Sequence, residues 1–491
     1  MSQTPDEVLT ANAVPGTSGS GGPLNRIFKL QQNGTTVTRE VIAGLTTFAA
    51  MAYILVVNPS ILKAAGMPQA ALVTATAVGA AIATILMGLM ANFPLALAPG
   101  MGINAFFAFT VCLGMGIPWQ SALGLVFVNG CIFLILSVTG VREQIVNALP
   151  NSLKAAVSAG VGLFIAFIGL KNGGLVVASP ATFVTMGDLA TPSVSLFGIG
   201  LLITCILVAR RTPAAIIISM VIITAIGLFV PDGNGGTVTH LPVAFVSLPA
   251  SIEPTFLKLN FTFLFTEPLK ALPVILTLLL VDMFDNIGTL IGVTKRAGLM
   301  DANGRLPGLP RALMADSIAA ILSSLLGTST VVSYIESAAG VQAGGRTGLT
   351  SITVAICFLL ALVFTPVILM IPAVAVAPAL VVVGILMFEI VSEIDLTRFE
   401  VCAPAILTLM AMPMTFSIST GIGLGLIMLA AVTLGTGKPK KKRVATVEAG
   451  AVVNREFEEE EPVNGSALTP FTYALAIIFL LHFFERLLLP H

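Results

Sequence analysis

The sequence is poor in charged residues, and this scarcity narrows the class of protein before any motif is considered. Only 10% of the 491 residues are Asp, Glu, Lys or Arg, whereas 56% are hydrophobic, and the mean hydropathy is +1.00. Soluble domains usually carry about 25% charged residues. Many apolar runs approach the ~20 residues with which a helix crosses a bilayer. The chain is therefore predicted to be a multi-pass protein of the cell membrane.

Cysteine and histidine are also scarce, which excludes several kinds of site. The five cysteines lie in apolar runs without CxxC spacing, and the three histidines form no cluster. Neither a Ser/His/Asp order nor an HExxH motif is present, so the sequence does not predict an enzyme, a disulfide or a metal cofactor. The formal net charge is +0, so no nucleic-acid partner is expected. Residues 1–25 are polar and rich in Gly, Ser and Pro, which predicts a disordered cytosolic tail.

Fourteen apolar segments are predicted as spans of an all-α bundle, seven on each side of a long polar linker. Basic residues cluster in alternate loops, which places the N-terminus and the C-terminal end of the bundle in the cytosol. The last two spans share residues 401–435, with a break at Met412-Pro413. The predicted units are a first seven-span repeat (26–230), an extracytoplasmic linker (231–266), a second seven-span repeat (267–436), a cytosolic charged linker (437–466) and a C-terminal interfacial helix (467–491), for which a fifteenth span is the alternative.

Two of the fourteen segments do not read as continuous helices, and both are the third span of their half. Residues 92–109 contain Pro94, Pro99 and Gly100, which disfavour an unbroken helix. Residues 327–345 begin with Thr, Ser and Val, which favour extended backbone, and then turn helical around Glu336. An odd number of spans gives the two halves opposite orientations. Paired breaks at matching places in inverted repeats indicate a transporter's binding site.

Three acids inside the predicted spans are the first candidates for that site. Glu336 would lie at the start of a short helix, where free N–H groups favour a carboxylate. Asp282 and Asp285 are three residues apart and share a helical face. A charged carboxyl is costly at this depth, so at least one of the pair is a candidate proton carrier. The structural alternatives are a carboxylate that caps its own helix and a neutral carboxyl bonded to a backbone carbonyl.

Four other residues of the broken spans are candidates for substrate contact. Asn104 could cap the short helix of the third span or bind substrate, and the sequence does not decide between these roles. Phe106 and Tyr334 could stack on a flat ligand, although core packing is the commoner role of aromatic residues. Ser333 precedes Tyr334 in the extended stretch. Asp316 is predicted to be a first-turn charge of its helix, or a partner of the neighbouring basic loop, without a functional role.

Four stretches of the chain resemble the nucleobase–cation symporters of the xanthine/uracil permease superfamily. They are ALAPGMGINAFFAF, FDNIGT, GTSTVVSYIESAAGVQAGGRTGL and MPMTFSISTGIGLG, and the likeness runs from about residue 25 to 436. It is nearest to the azaguanine-type branch of hypoxanthine, guanine and adenine permeases. FDNIGT lacks the histidines of the EHVGH pattern found in the uracil branch, which favours purines.

The resemblance implies a fold and a set of roles. The fold is that of the uracil permease, with core and gate domains, and with short antiparallel strands of spans 3 and 10 that cross at the centre. Glu336 and Asp285 match the family's two acids, and Asn104 the polar residue of span 3. The implied function is import of guanine or hypoxanthine, with adenine and xanthine as further candidates, driven by proton symport without another cofactor.

Two rival functions remain open from the sequence alone. One is a channel or facilitator for nucleobases that has no coupled ion. The other is an anion transporter on a similar fold, although acids inside the membrane would repel anions. The preferred purine, the carboxylate that carries the proton, and the choice between a monomer and a homodimer are not determined by these residues.

Overall fold

The computed structural model describes residues 23–140, 149–232, 235–299, 306–436, 443–448, 451–456 and 468–488. Within these ranges, ten helices are long and apolar enough to cross a membrane. The predictions for residues 1–22 of the tail, and for 437–442 and 457–467 of the charged linker, lie outside the described residues. The model is mostly helical, as the sequence predicts.

The helices of the first half run from the N-terminal side to the long linker. They are α1 (Pro23–Phe28), α2 (Val37–Met51), α3 (Ile54–Lys63), α4 (Gln69–Met90), α5 (Met101–Ala105) with a π-helical continuation (Phe106–Gly114), α6 (Trp119–Thr139), α7 (Asn151–Asn172), α8 (Pro192–Ala209) and α9 (Ala215–Gly227). Thr36 caps α2, since its hydroxyl accepts a hydrogen bond from the Arg39 N–H at 3.3 Å.

The helices of the second half follow the linker. They are α10 (Thr262–Thr266), α11 (Pro268–Arg296), α12 (Leu309–Leu326), α13 (Ser337–Gln342), α14 (Gly348–Ala361), α15 (Thr365–Met370), α16 (Ala373–Phe388), α17 (Phe399–Met414), α18 (Ile418–Thr436) and α19 (Pro470–Leu488). Gly327 ends α12 with a φ of +88°, a conformation that glycine adopts readily. This left-handed residue lets the chain leave the helix before residues 328–333.

Each predicted span corresponds to a helix or a broken helix, but not every one is long enough to cross the membrane by itself. The ten long helices account for ten of the fourteen predicted spans. The other four are the two broken segments and the shorter helices α9 and α17. The break between the last two spans falls at residues 415–417, not at Met412-Pro413, because Pro413 is accommodated inside α17. The fourteen-span inverted repeat stays a prediction.

The helices pack into two groups. In the first group, α4 packs against α12 and α14, α12 also packs against α6, and α2 packs against α13 and α14. In the second group, α7 packs against α16 and α17, α17 packs against α18, and α16 also packs against α8. Helix α11 contacts members of both groups.

Two short strands, β1 (Leu97–Pro99) and β4 (Val331–Ser333), form the centre of the first group. They pair antiparallel, with Leu97 opposite Ser333 and Pro99 opposite Val331. All six residues are buried. The two broken segments pack closely at Gly100, where an added Cβ would lie 3.0 Å from a Val332 methyl. The predicted extended segments of the two broken spans are confirmed, and so is their antiparallel pairing.

The sequence did not predict two further hairpins. Strands β2 (Val176–Ser179) and β3 (Phe183–Met186) pair antiparallel between α7 and α8. Strands β5 (Arg443–Glu448) and β6 (Ala451–Glu456) pair within the stretch that was predicted to be only a charged linker. The valines and polar residues of β5 and β6 are compatible with strands. Helix α19 packs against α18, where its Phe479 ring contacts Gly423, and its position in the bilayer stays a prediction.

Candidate functional site

The two crossing strands each lead into a short helix, and the polar candidates lie around this crossing. Strand β1 continues through Gly100 into α5, and β4 continues through Tyr334 and Glu336 into α13. The Ala96 N–H donates to the Ser337 hydroxyl at 3.0 Å and so joins segments 241 residues apart. Because the strands satisfy each other's backbone groups, irregular backbone is tolerated inside the protein at membrane depth.

Glu336 immediately precedes α13, as predicted, but it does not cap that helix with its side chain. Its Oε1 atom instead accepts a hydrogen bond from the hydroxyl of Tyr53, which lies where α2 gives way to α3. Tyr53 is buried, whereas Glu336 is only partly buried. Tyr53 was not among the residues predicted from the sequence. The available signal was a tyrosine inside an apolar span, because a buried hydroxyl needs a partner.

Asn104 lies in α5 and is fully buried. Its Oδ1 accepts a hydrogen bond from the Ser329 hydroxyl, just before strand β4. Gly100 occupies the position before α5, so Asn104 does not cap that helix. Among the residues that the structure describes, none accepts a hydrogen bond from the Asn104 amide nitrogen. Asn104 therefore has a donor available at the strand crossing.

The two acids of α11 differ in burial. Asp282 is 1% exposed, and its Oδ2 accepts a hydrogen bond from the Thr330 hydroxyl at 3.2 Å. Asp285 is only partly buried, and its carboxyl interacts electrostatically with Glu336 and with Asp316. The structure thus places Asp285 in the same electrostatic environment as Glu336. The hydrogen bond from Thr330 links Asp282 to the start of strand β4.

Ser333, Tyr334 and Phe106 differ in what they contact. The Ser333 N–H donates to the Asn286 Oδ1 at 3.4 Å, and neither the Ser333 hydroxyl nor the Asn286 amide nitrogen is hydrogen-bonded within the described ranges. The Tyr334 hydroxyl donates to the Pro99 carbonyl at 2.6 Å and so links the two broken segments. Phe106 begins the π-helical turn and is buried in the main hydrophobic core. Asn286 adds a buried amide to the site.

The prediction for Asp316 is wrong in its position. This residue is 2% exposed and lies about two turns inside α12, not in the first turn. Its carboxyl also interacts electrostatically with Asp285, which the spacing of the sequence could not reveal. Asp316 thus belongs to the acidic surroundings of the site.

A further buried acid, Glu40 of α2, stabilises the start of α14. Its carboxylate accepts hydrogen bonds from the Arg346 and Thr347 N–H groups at 2.8 and 3.1 Å, and from the Thr347 and Thr350 hydroxyls at 2.8 and 2.7 Å. An anion here satisfies the free N–H groups of a helix N-terminus. Glu40 therefore holds α2 to α14 beside the half-helix α13.

The half-helix α13 lies directly on α2. A Cβ placed on Gly340 would lie 2.6 Å from the Ala43 carbonyl oxygen and would also collide with the Thr47 hydroxyl. A separation below 3.0 Å cannot be accommodated without a backbone shift. The position of Glu336 therefore depends on close packing between α13 and α2.

An aromatic cluster connects the two helix groups near one end of the bundle. The ring of Phe416, in the turn between α17 and α18, makes edge-to-face contacts with three other rings, and the ring centres are 5.3–5.9 Å apart. The three are Phe109 of the π-helical turn, and Phe164 and Phe167 of α7. The Lys171 ammonium lies 4.8 Å from the centre of the Phe416 ring. Phe416 itself has a φ of +55°. The cluster forms an apolar contact between the first helix group and the second.

These features define a class of protein. Paired broken helices with acids and amides at the break are typical of secondary transporters and line a substrate cavity. A family model described as the permease family matches residues 38–424, so the chain belongs to this family and is a multi-pass membrane transporter, not an enzyme.

Two relatives place the chain within the family. The adenine permease AdeP of Escherichia coli (strain K12) is 43% identical over 397 residues, which cover 81% of this chain and 87% of the relative. The guanine/hypoxanthine permease PbuG of Bacillus subtilis (strain 168) is 41% identical over 399 residues, which cover 79% and 89%. The resemblance to the nucleobase permease branch is thereby confirmed.

The fold is shared with more distant transporters. The transmembrane domain of the cyanobacterial bicarbonate transporter BicA superposes with a TM-score of 0.58 at 15% identity, covering 80% of this chain and 97% of that domain. At this identity the likeness concerns the fold alone.

Proposed function

We propose that this permease imports purine nucleobases by proton symport. The observation that carries the proposal is the set of hydrogen-bonding groups at the strand crossing. Glu336 offers acceptors, while Asn104, Asn286 and Ser333 have donors that no described residue uses. Its relatives include permeases named for adenine and for guanine and hypoxanthine. A flat base with mixed donors and acceptors suits such a site.

The chemistry of the bases assigns a role to Glu336. Guanine presents its N1–H and 2-amino group side by side, and one carboxylate can accept both in short, charge-assisted bonds. Hypoxanthine retains N1–H but lacks the 2-amino group, so it makes one bond fewer. Adenine presents an acceptor at N1 and a donor at its 6-amino group. The amide nitrogens of Asn104 and Asn286, which donate to no acceptor among the described residues, would suit the N1 acceptor of adenine.

Proton coupling follows from the charge of the substrate and from the acids of α11. Purine bases are neutral near pH 7, so their accumulation requires a coupled ion. Asp285 is proposed as the proton carrier because it is partly exposed and interacts with Glu336. Asp282 is the second candidate, although it is more deeply buried and bonded to Thr330.

Alternating access is proposed to occur between the two helix groups, which would correspond to core and gate domains of two inverted seven-span repeats. With the topology predicted from the basic loops, Lys171 and Phe416 would lie at the outer end. The aromatic cluster would therefore close the outer side, while Ile335, which precedes Glu336 and is 59% exposed, would face the open route to the site. Separation of Phe416 from Phe109 would open the site to the outside.

An uncoupled facilitator and an anion transporter both fit the site less well. An uncoupled facilitator would need no acid to change its protonation, yet Asp285 lies partly exposed beside Glu336. An anion transporter shares the fold, but Asp285, Asp316 and Glu336 repel anions at the crossing. Both observations favour a neutral substrate coupled to a proton.

Competition for uptake tests the substrate class. Cells that express the protein should take up labelled hypoxanthine, and unlabelled guanine, adenine or xanthine should compete while uracil and bicarbonate should not. Asp285→Asn should abolish accumulation against a gradient but retain exchange of labelled for unlabelled base. Competition by uracil but by no purine would overturn the substrate class. Undiminished accumulation by Asp285→Asn would overturn its role as proton carrier.

A further inference from the structure

We infer that Tyr53 is a positioning residue that fixes the carboxylate of Glu336 for recognition of the base; this inference rests on the proposed function. Tyr53 belongs to neither broken span, yet its hydroxyl donates to Glu336 Oε1 across 283 residues of chain. The bond is made to one of the two carboxylate oxygens. Tyr53 therefore controls how the plane of the carboxylate is presented to a ligand.

The surroundings of Tyr53 make it a rigid donor. Its side chain is 1% exposed, and its carbonyl accepts the N–H groups of Val56 and Val57, both at 3.0 Å, where α3 begins. Its position therefore follows the backbone of α3, which packs against α4 and α5. The ring has few freely rotating bonds, so little freedom is lost when the hydroxyl is held in place. The hydrogen bond from Tyr53 therefore fixes Glu336 relative to the backbone of the first span.

Glu336 needs such a partner because its own helix does not hold it. Its side chain makes no capping bond to α13, and the terminal torsion of a glutamate is broad. A carboxylate that binds two adjacent donors of a base must lie in the plane of that base. The Tyr53 bond at Oε1 restricts rotation of the carboxylate, which leaves Oε2 and one lone pair of Oε1 for the ligand.

The other tyrosine at the crossing cannot perform this task. The Tyr334 hydroxyl donates to the Pro99 carbonyl at 2.6 Å, so its only proton is engaged in holding the two broken spans together. Asp285 interacts electrostatically with Glu336, but it repels that carboxylate and cannot donate to it when both are ionised. Tyr53 is thus the group that orients Glu336.

A double-mutant cycle tests whether Tyr53 acts through Glu336. Guanine and hypoxanthine binding would be measured by calorimetry on purified wild type, Tyr53→Phe, Glu336→Gln and the double variant. Loss of an orienting bond should weaken guanine binding by about tenfold in Tyr53→Phe. In the Glu336→Gln background the same change should cost less than about twofold, because the charge-assisted pair of bonds that the orientation serves is already lost. Tyr473→Phe, in helix α19 and outside both broken spans, is the matched control and should bind like wild type.

The possible outcomes separate this inference from the proposed function. Equal losses from Tyr53→Phe in both backgrounds, for both bases, would show a purely structural tyrosine and refute the inference while leaving the function intact. Wild-type protein that binds no purine would refute the function itself. If Tyr53→Phe gives no folded protein, Tyr53→Leu enters the same cycle, since it also lacks the donor. Wild-type guanine affinity in either folded variant would likewise refute the inference.

Discussion

Glu336→Gln is the substitution that most directly tests how the base is read. The replacement keeps the size of the side chain but turns one acceptor oxygen into an N–H₂ donor. The Tyr53 hydroxyl donates to Oε1, so the amide oxygen should take that position and the amide nitrogen should replace Oε2. The new donor then faces the donors of guanine. The variant therefore combines a lost acceptor with a repulsive contact.

The expected magnitude follows from the bond that is lost. A hydrogen bond to a charged group contributes about 1.5–3 kcal/mol, and each 1.4 kcal/mol changes affinity by about tenfold. Guanine affinity should fall by at least roughly tenfold, and the donor–donor contact adds to the loss. Hypoxanthine should lose less, because it has no 2-amino group to meet the new donor. The change should thus depend on the base.

The assay is equilibrium binding of both bases to purified protein, together with the melting temperature of each variant. Glu253→Gln, an exposed glutamate of the 231–266 linker, is the matched control and should leave both affinities unchanged. A uniform loss for both bases with a lowered melting temperature would indicate a structural carboxylate. Guanine affinity equal to that of wild type would refute Glu336 as the base-reading residue.

Three further predictions concern coupling, topology and packing. Purine uptake should fall when the proton gradient is collapsed and should not change on removal of sodium; full uptake after uncoupling would indicate a facilitator. A cysteine at fully exposed Val243 should react with an impermeant thiol reagent from outside, whereas one at exposed Ser392 should not; the reverse pattern would invert the topology. Gly340→Ala should lower the melting temperature by several degrees, because overpacking against the Ala43 carbonyl costs about 1–3 kcal/mol. The control Gly288→Ala, whose added Cβ meets no atom within 4 Å, should leave the melting temperature unchanged. Equal melting temperatures for the two variants would contradict the packing.

The broken spans could be predicted from the sequence because their signals are local. Pro99 and Gly100 disfavour a helix wherever they occur, and the Thr- and Val-rich stretch before Glu336 favours extended backbone. The position of Glu336 before its half-helix follows from the same local pattern. The antiparallel pairing of the two strands came from the family resemblance, since composition gives no register between distant segments.

The partners of the site residues could not be predicted because they come from distant parts of the chain. Nothing near Tyr53 in the sequence indicates that its hydroxyl reaches Glu336, and the spacing of α12 did not reveal that Asp316 interacts with Asp285. The last break was misplaced because a proline near a helix C-terminus is tolerated. The chain turns instead at Phe416, where the left-handed backbone is visible only in three dimensions.

The pairing of β1 with β4 has a consequence for how the protein is made. A ribosome synthesises strand β1 long before its partner, since the contact between Ala96 and Ser337 joins residues 241 positions apart. Unpaired backbone groups in lipid cost several kcal/mol each, so the first broken span cannot settle at its final depth while it lacks its partner. The first broken span must therefore stay hydrated or shielded until strand β4 has entered the membrane. The strand crossing can therefore form only after residues 331–337 have been synthesised.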